Sequence, residues 1–174
     1  MTDRHLRADA RRNRARLLDV AEEVFAADGI AVPIDEIARR AGVGIGTVYR
    51  HFPTKEALFE AIVLQRLTPL TESARVPAGD PTDQFFALFT RVIEVGTANK
   101  ALIEAITGDR TAVVAASREL LALLGKLLTQ AQQAGGVRPD ITPADLKPLL
   151  AGTVAMQRQG ANLAKIVCDG LRPR

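Results

Sequence analysis

Hydroxyl and basic side chains are concentrated in a short stretch that contains no acidic residue. The stretch begins at Ala38 and ends at Lys55, and its polar members include Arg39, Thr47, Tyr49, Arg50 and His51. Hydroxyl groups, arginine and lysine are the side chains that commonly donate hydrogen bonds to the phosphates of DNA. Gly46 would let the backbone come close to a partner. These residues therefore predict a surface that binds a nucleic-acid backbone.

Positive charge is concentrated in two regions, although the net charge of the chain is only +3. Residues 1–16 contain six arginines and two aspartates, and residues 37–55 contain four basic residues and no acid. A basic N-terminal arm beside a basic helical module is typical of DNA-binding proteins. We therefore expect Arg11 and Arg12 to support DNA binding. A solubility tail is the alternative interpretation of the arm.

Residues suited to catalysis are few. The chain has two histidines and one cysteine, and it lacks the common nucleophile, metal-ligand and phosphate-loop motifs. The glycines at 42, 44 and 46 do not have the spacing of a dinucleotide-binding loop. Cys168 lies in an apolar segment and is interpreted as a core residue. The sequence thus predicts a protein that is not an enzyme and that has neither a cofactor nor a metal site.

Two short helices around a glycine turn would present the polar stretch. Ile34, Ile37, Ala38 and Ala41 follow the helical period, and Gly42 is placed to end that helix. A second helix is predicted from about Ile45 to Phe52, with Val48 and Phe52 facing the core. Its outer surface would carry Ile45, Gly46, Thr47, Tyr49, Arg50 and His51. This is the pattern of a helix-turn-helix whose second helix lies in the major groove.

The remaining periodicity predicts an all-α fold of about nine helices, a three-helix DNA-binding head followed by a helical bundle. Helix 1 is expected at about 10–27, helix 4 from Lys55 with a kink or end at Pro69, and a further helix from Pro81 with Asp80 as its N-cap. Later helices are expected at about 100–106 and 110–134, after a capping box at Thr142–Asp145, and at about 158–170. The breaker cluster at 76–80 sets the expected domains at 1–75 and 76–174. No apolar run is long enough to span a membrane, and the single cysteine favours the cytoplasm.

Residues 34–58 resemble the TetR family of bacterial transcription regulators, whose signature runs roughly I-A-x-x-A-G-V-S-x-G-T-(V/L)-Y-x-H-F-x-x-K-E-x-L. The matching residues are Ile37, Ala38, Ala41, Gly42, Val43, Gly46, Thr47, Val48, Tyr49, His51, Phe52, Lys55, Glu56 and Leu58. Two positions depart from the family. Gly44 replaces a frequent serine and lacks its hydroxyl cap, and Pro33 replaces a frequent threonine and cannot donate a hydrogen bond to phosphate.

The resemblance implies a homodimer that binds a palindromic operator in double-stranded DNA. The dimer would form through the last two helices, at Leu150, Val154, Gln157, Ala161, Ala164 and Val167, unless these residues only complete the core of one chain. It also implies a small-molecule effector, apolar or amphipathic, near Phe85, Phe89, Leu121, Leu124 and Leu128, which a plain core explains equally well. The function implied is a ligand-released repressor, and the alternative is a structural DNA-binding protein without ligand control.

Overall fold

The computed structural model describes residues 2–76, 79–106, 111–157 and 162–173, with side chains from Arg12 onward. In this part of the chain, every element of regular structure is an α-helix. The nine helices of these residues are α1 Thr2–Asp28, α2 Ile34–Ala41, α3 Ile45–His51, α4 Lys55–Arg75, α5 Pro81–Ala98, α6 Lys100–Ala105, α7 Thr111–Gln133, α8 Pro143–Met156 and α9 Leu163–Leu171. The all-α prediction is confirmed.

By internal packing, the chain divides into two compact units inside α4; the functional domain boundary predicted after residue 75 differs from this division and stays a prediction. One unit comprises Met1–Val63 and Ala101–Arg110, and the other comprises Leu64–Lys100 and Thr111–Arg174. The difference arises because α4 is one continuous helix that contributes to two cores. Leu58, Phe59 and Ile62 are buried residues of the first unit, whereas Leu70 belongs to the core of the second. A change in composition marks a loop, but it does not show where packing divides a helix.

The first unit is built on the apolar face of α1. Leu17, Leu18, Ala21, Val24 and Phe25 are buried along this helix, and the ring of Phe25 meets that of Phe59 edge-on with centroids 5.0 Å apart. The prediction that α1 begins near residue 10 was wrong, because the helix begins at Thr2. Half of the added residues 2–9 are Arg, Leu or Ala, which favour helix, and no Gly or Pro interrupts them. The basic arm is thus part of α1.

Helix α4 continues through Pro69 to Arg75, so of the two outcomes predicted at Pro69, a kink or the end of the helix, the end is excluded. Proline inside a helix removes one backbone hydrogen bond and costs about 3 kcal/mol or more. Burial of Leu70 in the core of the second unit, with Leu67 packed beside it, offsets that cost. Tertiary packing therefore overrides the local propensity here.

The core of the second unit lies among α5, α7, α8 and α9. Phe85, Phe89, Leu124, Leu128 and Leu146 are fully buried in it. The predicted caps are confirmed. The Asp80 carboxylate accepts hydrogen bonds from the backbone N–H groups of Thr82 and Asp83, and Asp145 accepts from the N–H of Thr142 at 2.8 Å. The Thr142 hydroxyl and N–H bonds lower the pKa of the Asp145 carboxyl.

Helix α9 begins at Leu163, later than the predicted start at 158, and residues 158–161 lie outside the described residues. Asn162 caps this helix, because its side-chain oxygen accepts a hydrogen bond from the N–H of Lys165 at 3.3 Å. The capping role of Asn162 follows from the position at which α9 starts.

Candidate nucleic-acid interface

The surface of α3 separates into a buried and an exposed side, as the sequence predicts. Val48 and Phe52 are buried at 0% and 2% exposure, whereas Ile45 and Tyr49 are 45% and 47% exposed. Gly46, Arg50 and His51 are also exposed, and Thr47 is half-buried. The outer side of α3 therefore exposes most of the residues that the sequence assigns to DNA, and its inner side is buried.

The turn before α3 depends on a glycine in the left-handed region. Gly42 has φ 66° and ψ 34°, and the N–H of Val43 donates to the carbonyl of Ala38 at 3.0 Å. A residue with a Cβ is strained in this conformation, so glycine is favoured there. Gly44 and Pro33, the two departures from the TetR pattern, are the N-caps of α3 and α2, and neither supplies a side-chain cap. Buried packing, rather than capping, holds these short helices.

Two arginines of α1 contact the helix-turn-helix. A guanidinium nitrogen of Arg16 donates to the Ala41 carbonyl at the end of α2, at 3.2 Å. The Arg14 guanidinium carbon lies 5.1 Å from the centroid of the Phe52 ring, within cation–π range. These two contacts were not predicted. Because Arg14 lies three to four residues before Leu17 and Leu18, helical spacing offered a signal that it flanks the buried face.

The arginines of α2 are paired with acids, which corrects the expectation of an acid-free surface. Arg39 makes two hydrogen bonds to the Glu36 carboxylate, at 2.7 and 2.8 Å. Arg40 bonds Glu36 at 2.7 Å and also pairs with Asp28 at the end of α1, at 2.7 Å. The hydrogen bonds from Arg39 and then Arg40 lower the pKa of Glu36 from 4.5 to about 2. The same contacts raise the pKa of both arginines.

The sequence window from Ala38 to Lys55 excluded both acids because Glu36 and Asp28 lie just outside it. Glu36 could have been found, since it precedes Arg39 and Arg40 by three and four residues, the spacing of ion pairs on one helix face. Asp28 belongs to another helix, so no local spacing indicated it. The surface is therefore less positive than the count of basic residues predicts.

Lys55 stands at the start of α4, next to α3 in the chain. Thr54 caps α4, because its hydroxyl accepts a hydrogen bond from the N–H of Ala57 at 3.1 Å. The Lys55 ammonium lies 5.8 Å from the centroid of the Phe25 ring and 5.9 Å from that of Phe59. Both distances are within cation–π range. The aromatic pair therefore restricts the ammonium at the helix N-terminus, where a phosphate would also be favoured.

Among the N-terminal arginines predicted to bind DNA, Arg12 is exposed, and the side chain of Arg11 lies outside the described residues. The unit that contains α3 carries Arg39, Tyr49, Arg50, His51 and Lys55 on α2, α3 and the start of α4. Glu36 and Asp28 also belong to this unit, and their ion pairs with the arginines of α2 reduce its positive charge.

The residues expected to bind an effector are core residues of the second unit. Phe85, Phe89, Leu124 and Leu128 are fully buried, and Leu121 packs against the same core while half-buried. They line neither of two clefts of this unit. One cleft of about 430 Å³ adjoins α4 and α5, and another of about 1100 Å³ adjoins α5 and α9. The burial of these residues favours the alternative interpretation, a plain core.

The residues expected at the dimer face differ in their surroundings. Leu150 is buried in the core of its own chain, and Val154, Ala164 and Val167 are partly buried against that core. Gln157 is half-buried after α8, and Ala161 lies outside the described residues. The large apolar side chains of α8 and α9 that are exposed are instead Met156 and Ile166, at 65% and 64% exposure. The helical period of α8 and α9 did not separate the core-facing side from the exposed side, because both sides carry apolar residues.

Comparisons with known proteins agree with this arrangement. The sequence profile of the bacterial regulatory proteins of the tetR family matches residues 17–62, which include α2 and α3. The profile of the C-terminal domain of SbtR-like transcriptional regulators matches residues 80–173. The chain belongs to the TetR family.

Solved TetR structures are similar over nearly the whole chain. A TetR transcription regulatory protein from Mycobacterium vanbaalenii is 44% identical, with 97% of this chain and 99% of that chain covered and a TM-score of 0.75. The TetR regulator SCO0520 from Streptomyces coelicolor is 34% identical, with 92% and 98% covered and a TM-score of 0.69. These similarities extend the family assignment from α2 and α3 to the C-terminal helices.

A curated relative, the uncharacterized HTH-type transcriptional regulator TtgW of Pseudomonas putida, is 44% identical over 64 residues. The match covers 36% of this chain and 48% of TtgW, so the chain spans about half the length of that relative. The TetR family consists of DNA-binding transcription regulators rather than enzymes. Among the described residues, no helix is long and apolar enough to cross a membrane.

Proposed function

We propose that this TetR-family chain is a sequence-specific repressor that binds a palindromic operator as a homodimer and is released by a small molecule. The observation that carries the proposal is the exposed side of α3. Ile45, Tyr49, Arg50 and His51 are exposed there, while Val48 and Phe52 fix the helix from below. A short helix with a rigid buried side and an exposed polar side suits insertion into the major groove.

The side chains of this surface divide into two roles. Tyr49 and Lys55 are assigned to phosphate oxygens, where a contact positions the protein without selecting a sequence. Arg50 is assigned to a base edge, because a guanidinium can donate two hydrogen bonds to guanine. The aromatic rings that restrict Lys55 support its assignment, since a restricted ammonium loses less freedom on binding.

A dimer would present two copies of α3 to the operator. The two recognition helices would lie roughly 34–36 Å apart, one turn of B-DNA, so the operator should be a palindrome. The exposed Met156 and Ile166 support a contact between copies through α8 and α9. A single helix-turn-helix offers few contacts, and this favours the dimer.

Ligand control is proposed through α4, because its residues belong to both units. A ligand that prefers the released state would shift the population away from the DNA-bound one. Couplings between two sites are typically about 1–3 kcal/mol, or about 5–150-fold in affinity. The ligand-free protein should therefore bind the operator more tightly than the liganded protein.

Selection of bound sequences from a random DNA pool tests the proposal. The wild-type protein should enrich a palindrome with two half-sites. Arg50→Ala should relax one position in each half-site, whereas Tyr49→Phe should weaken all sequences similarly. Arg118→Ala, which changes an exposed arginine of α7, is the matched control and should leave the motif unchanged. Enrichment of no motif would favour a structural DNA-binding protein, and a single half-site would argue against the dimer.

A further inference from the structure

One cleft of the second unit is a groove between α5 and α9, with a volume of about 1100 Å³. Phe86, Ile93 and Cys168 are buried residues that form its apolar floor. Its lining on α5 runs from Phe86 to Ala98, a length of about 18 Å at the helical rise. Small-molecule sites typically measure about 300–1000 Å³ and are mainly apolar. The groove has the size and the floor for an elongated ligand.

The charged side chains at the rim leave one positive charge uncompensated. Arg91 pairs with Glu94 on α5 at 3.8 Å, and Lys165 pairs with Asp169 on α9 at 2.5 Å. Arg172 is the third cation of the lining, and it makes no ion pair with a residue of the described part of the chain. Three cations therefore face two carboxylates, and an anionic group would complete the pairing.

Arg172 is also held in position. Its guanidinium carbon lies 4.5 Å from the centroid of the Phe86 ring. Stacking on an aromatic ring engages the face of the guanidinium and leaves its N–H edges available to a planar carboxylate. The charge thus lies at the Phe86 end of an apolar groove.

We propose that this groove binds an amphipathic carboxylate, with its apolar chain along the floor between α5 and α9 and its carboxylate at Arg172. The identification of this ligand as the effector rests on the proposed function. The groove takes the place of the effector site expected at Phe85 and Phe89, because those side chains are fully buried among core residues. The groove contains open volume for a ligand, whereas the surroundings of Phe85 and Phe89 do not.

The groove and the proposed dimer face lie on different sides of α9. The lining residues on this helix are Ala164, Lys165, Cys168, Asp169 and Arg172. At about 100° per residue, the exposed Ile166 lies roughly 130° around the helix from the middle of that set. A dimer formed through Ile166 would therefore leave the groove open to a ligand.

Calorimetric titration with fatty acids, below the concentration at which they aggregate, tests the ligand class. Decanoate should bind to the full chain. Octanoate should bind about 14-fold more weakly, because two fewer methylene groups are removed from water. Decanol has the same chain without the charge, and it should bind at least about tenfold more weakly than decanoate because it lacks the charged hydrogen bonds to Arg172.

Two further measurements locate the site. Arg172→Gln should reduce decanoate affinity to the level of decanol, whereas Arg118→Gln, the control on α7, should leave it unchanged. Cys168 is the single cysteine of the chain and lies in the floor of the groove. Decanoate should slow its alkylation by N-ethylmaleimide at alkaline pH, and the same concentration should protect it less in Arg172→Gln.

Several results would overturn the proposal. These are the absence of decanoate binding, equal binding of decanol, or binding that leaves Cys168 alkylation unchanged. Protection of Cys168 that depends only on protein concentration would show that a second copy covers the groove, and this also overturns it. Binding at the groove without any change in operator affinity would refute the effector role. Failure to select an operator would instead refute the proposed function and leave the ligand titrations valid.

Discussion

Replacing Glu36 with glutamine is expected to strengthen DNA binding, most of all at low salt. Glu36 accepts hydrogen bonds from both Arg39 and Arg40 at distances of 2.7–2.8 Å. Arg40 would still pair with Asp28 after the substitution, whereas Arg39 would lose the carboxylate to which it makes two hydrogen bonds. The substitution therefore releases one arginine in each head, and the Arg39 side chain is already 72% exposed.

The size of the effect follows from counterion release. Each phosphate neutralised on duplex DNA steepens the slope of log affinity against log salt by about 0.9. Two heads of a dimer would add up to about 1.8 to that slope. Between about 50 and about 200 mM salt, the variant should therefore lose up to about twelvefold more affinity than the wild type.

Fluorescence anisotropy with a selected operator, at several salt concentrations, measures this slope. Glu23→Gln, which removes an exposed carboxylate from α1, is the matched control and should change the slope less. In an Arg39→Ala background, Glu36→Gln should have little effect, because the released group is missing. Equal slopes of log affinity against log salt for the wild type and Glu36→Gln would refute the reasoning. An equally large effect of Glu36→Gln in the Arg39→Ala background would also refute it.

Three further predictions follow from the same unit. The Glu36 carboxyl should titrate near pH 2 by NMR and move toward 4.5 in Arg39→Ala. Because its folded pKa is lowered, the stability that its ion pairs contribute is complete above pH 4.5 and is lost as the pH falls toward 2. An unshifted titration in Arg39→Ala would contradict the assigned cause. Gly42→Ala should destabilise the protein in urea unfolding by about 1–2 kcal/mol, since φ is 66° there. The control Gly44→Ala, with φ −67° and equally open surroundings, should cost less. Equal losses would show that backbone strain is not the cause. Lys55→Met keeps an apolar chain against Phe25 and Phe59 but removes the charge, so it should reduce the salt slope by about 0.9 per head. An unchanged slope would remove Lys55 from the phosphate contacts.

The candidate site was predictable from sequence where its cause is local. Gly42 indicated the end of α2 because a left-handed residue there favours glycine, and the structure gives it φ 66°. Val48 and Phe52 lie four residues apart, so they share one helix face, and both are buried. Once that face is buried, Ile45, Tyr49 and Arg50 must point outward. The caps at Asp80 and Thr142 were equally local.

Contacts between helices were beyond this reasoning. Asp28 neutralises Arg40 from the end of α1, twelve residues earlier in the chain, and no spacing rule relates them. Arg14 and Arg16 likewise contact the end of α3 and the end of α2 only after α1 has packed. Charge counted along the sequence therefore overestimates the charge that is available to DNA.

Local sequence predicts the helical class of the chain, the turn after α2 and the exposed side of α3, because periodicity and glycine conformation act over a few residues. Packing between helices decides what covers each apolar face. It placed Phe85 and Phe89 in the core, opened a groove beside Arg172, and divided α4 between two units at Val63. An apolar stripe shows that a face must be buried, but the partner that buries it is chosen by packing between segments distant in sequence.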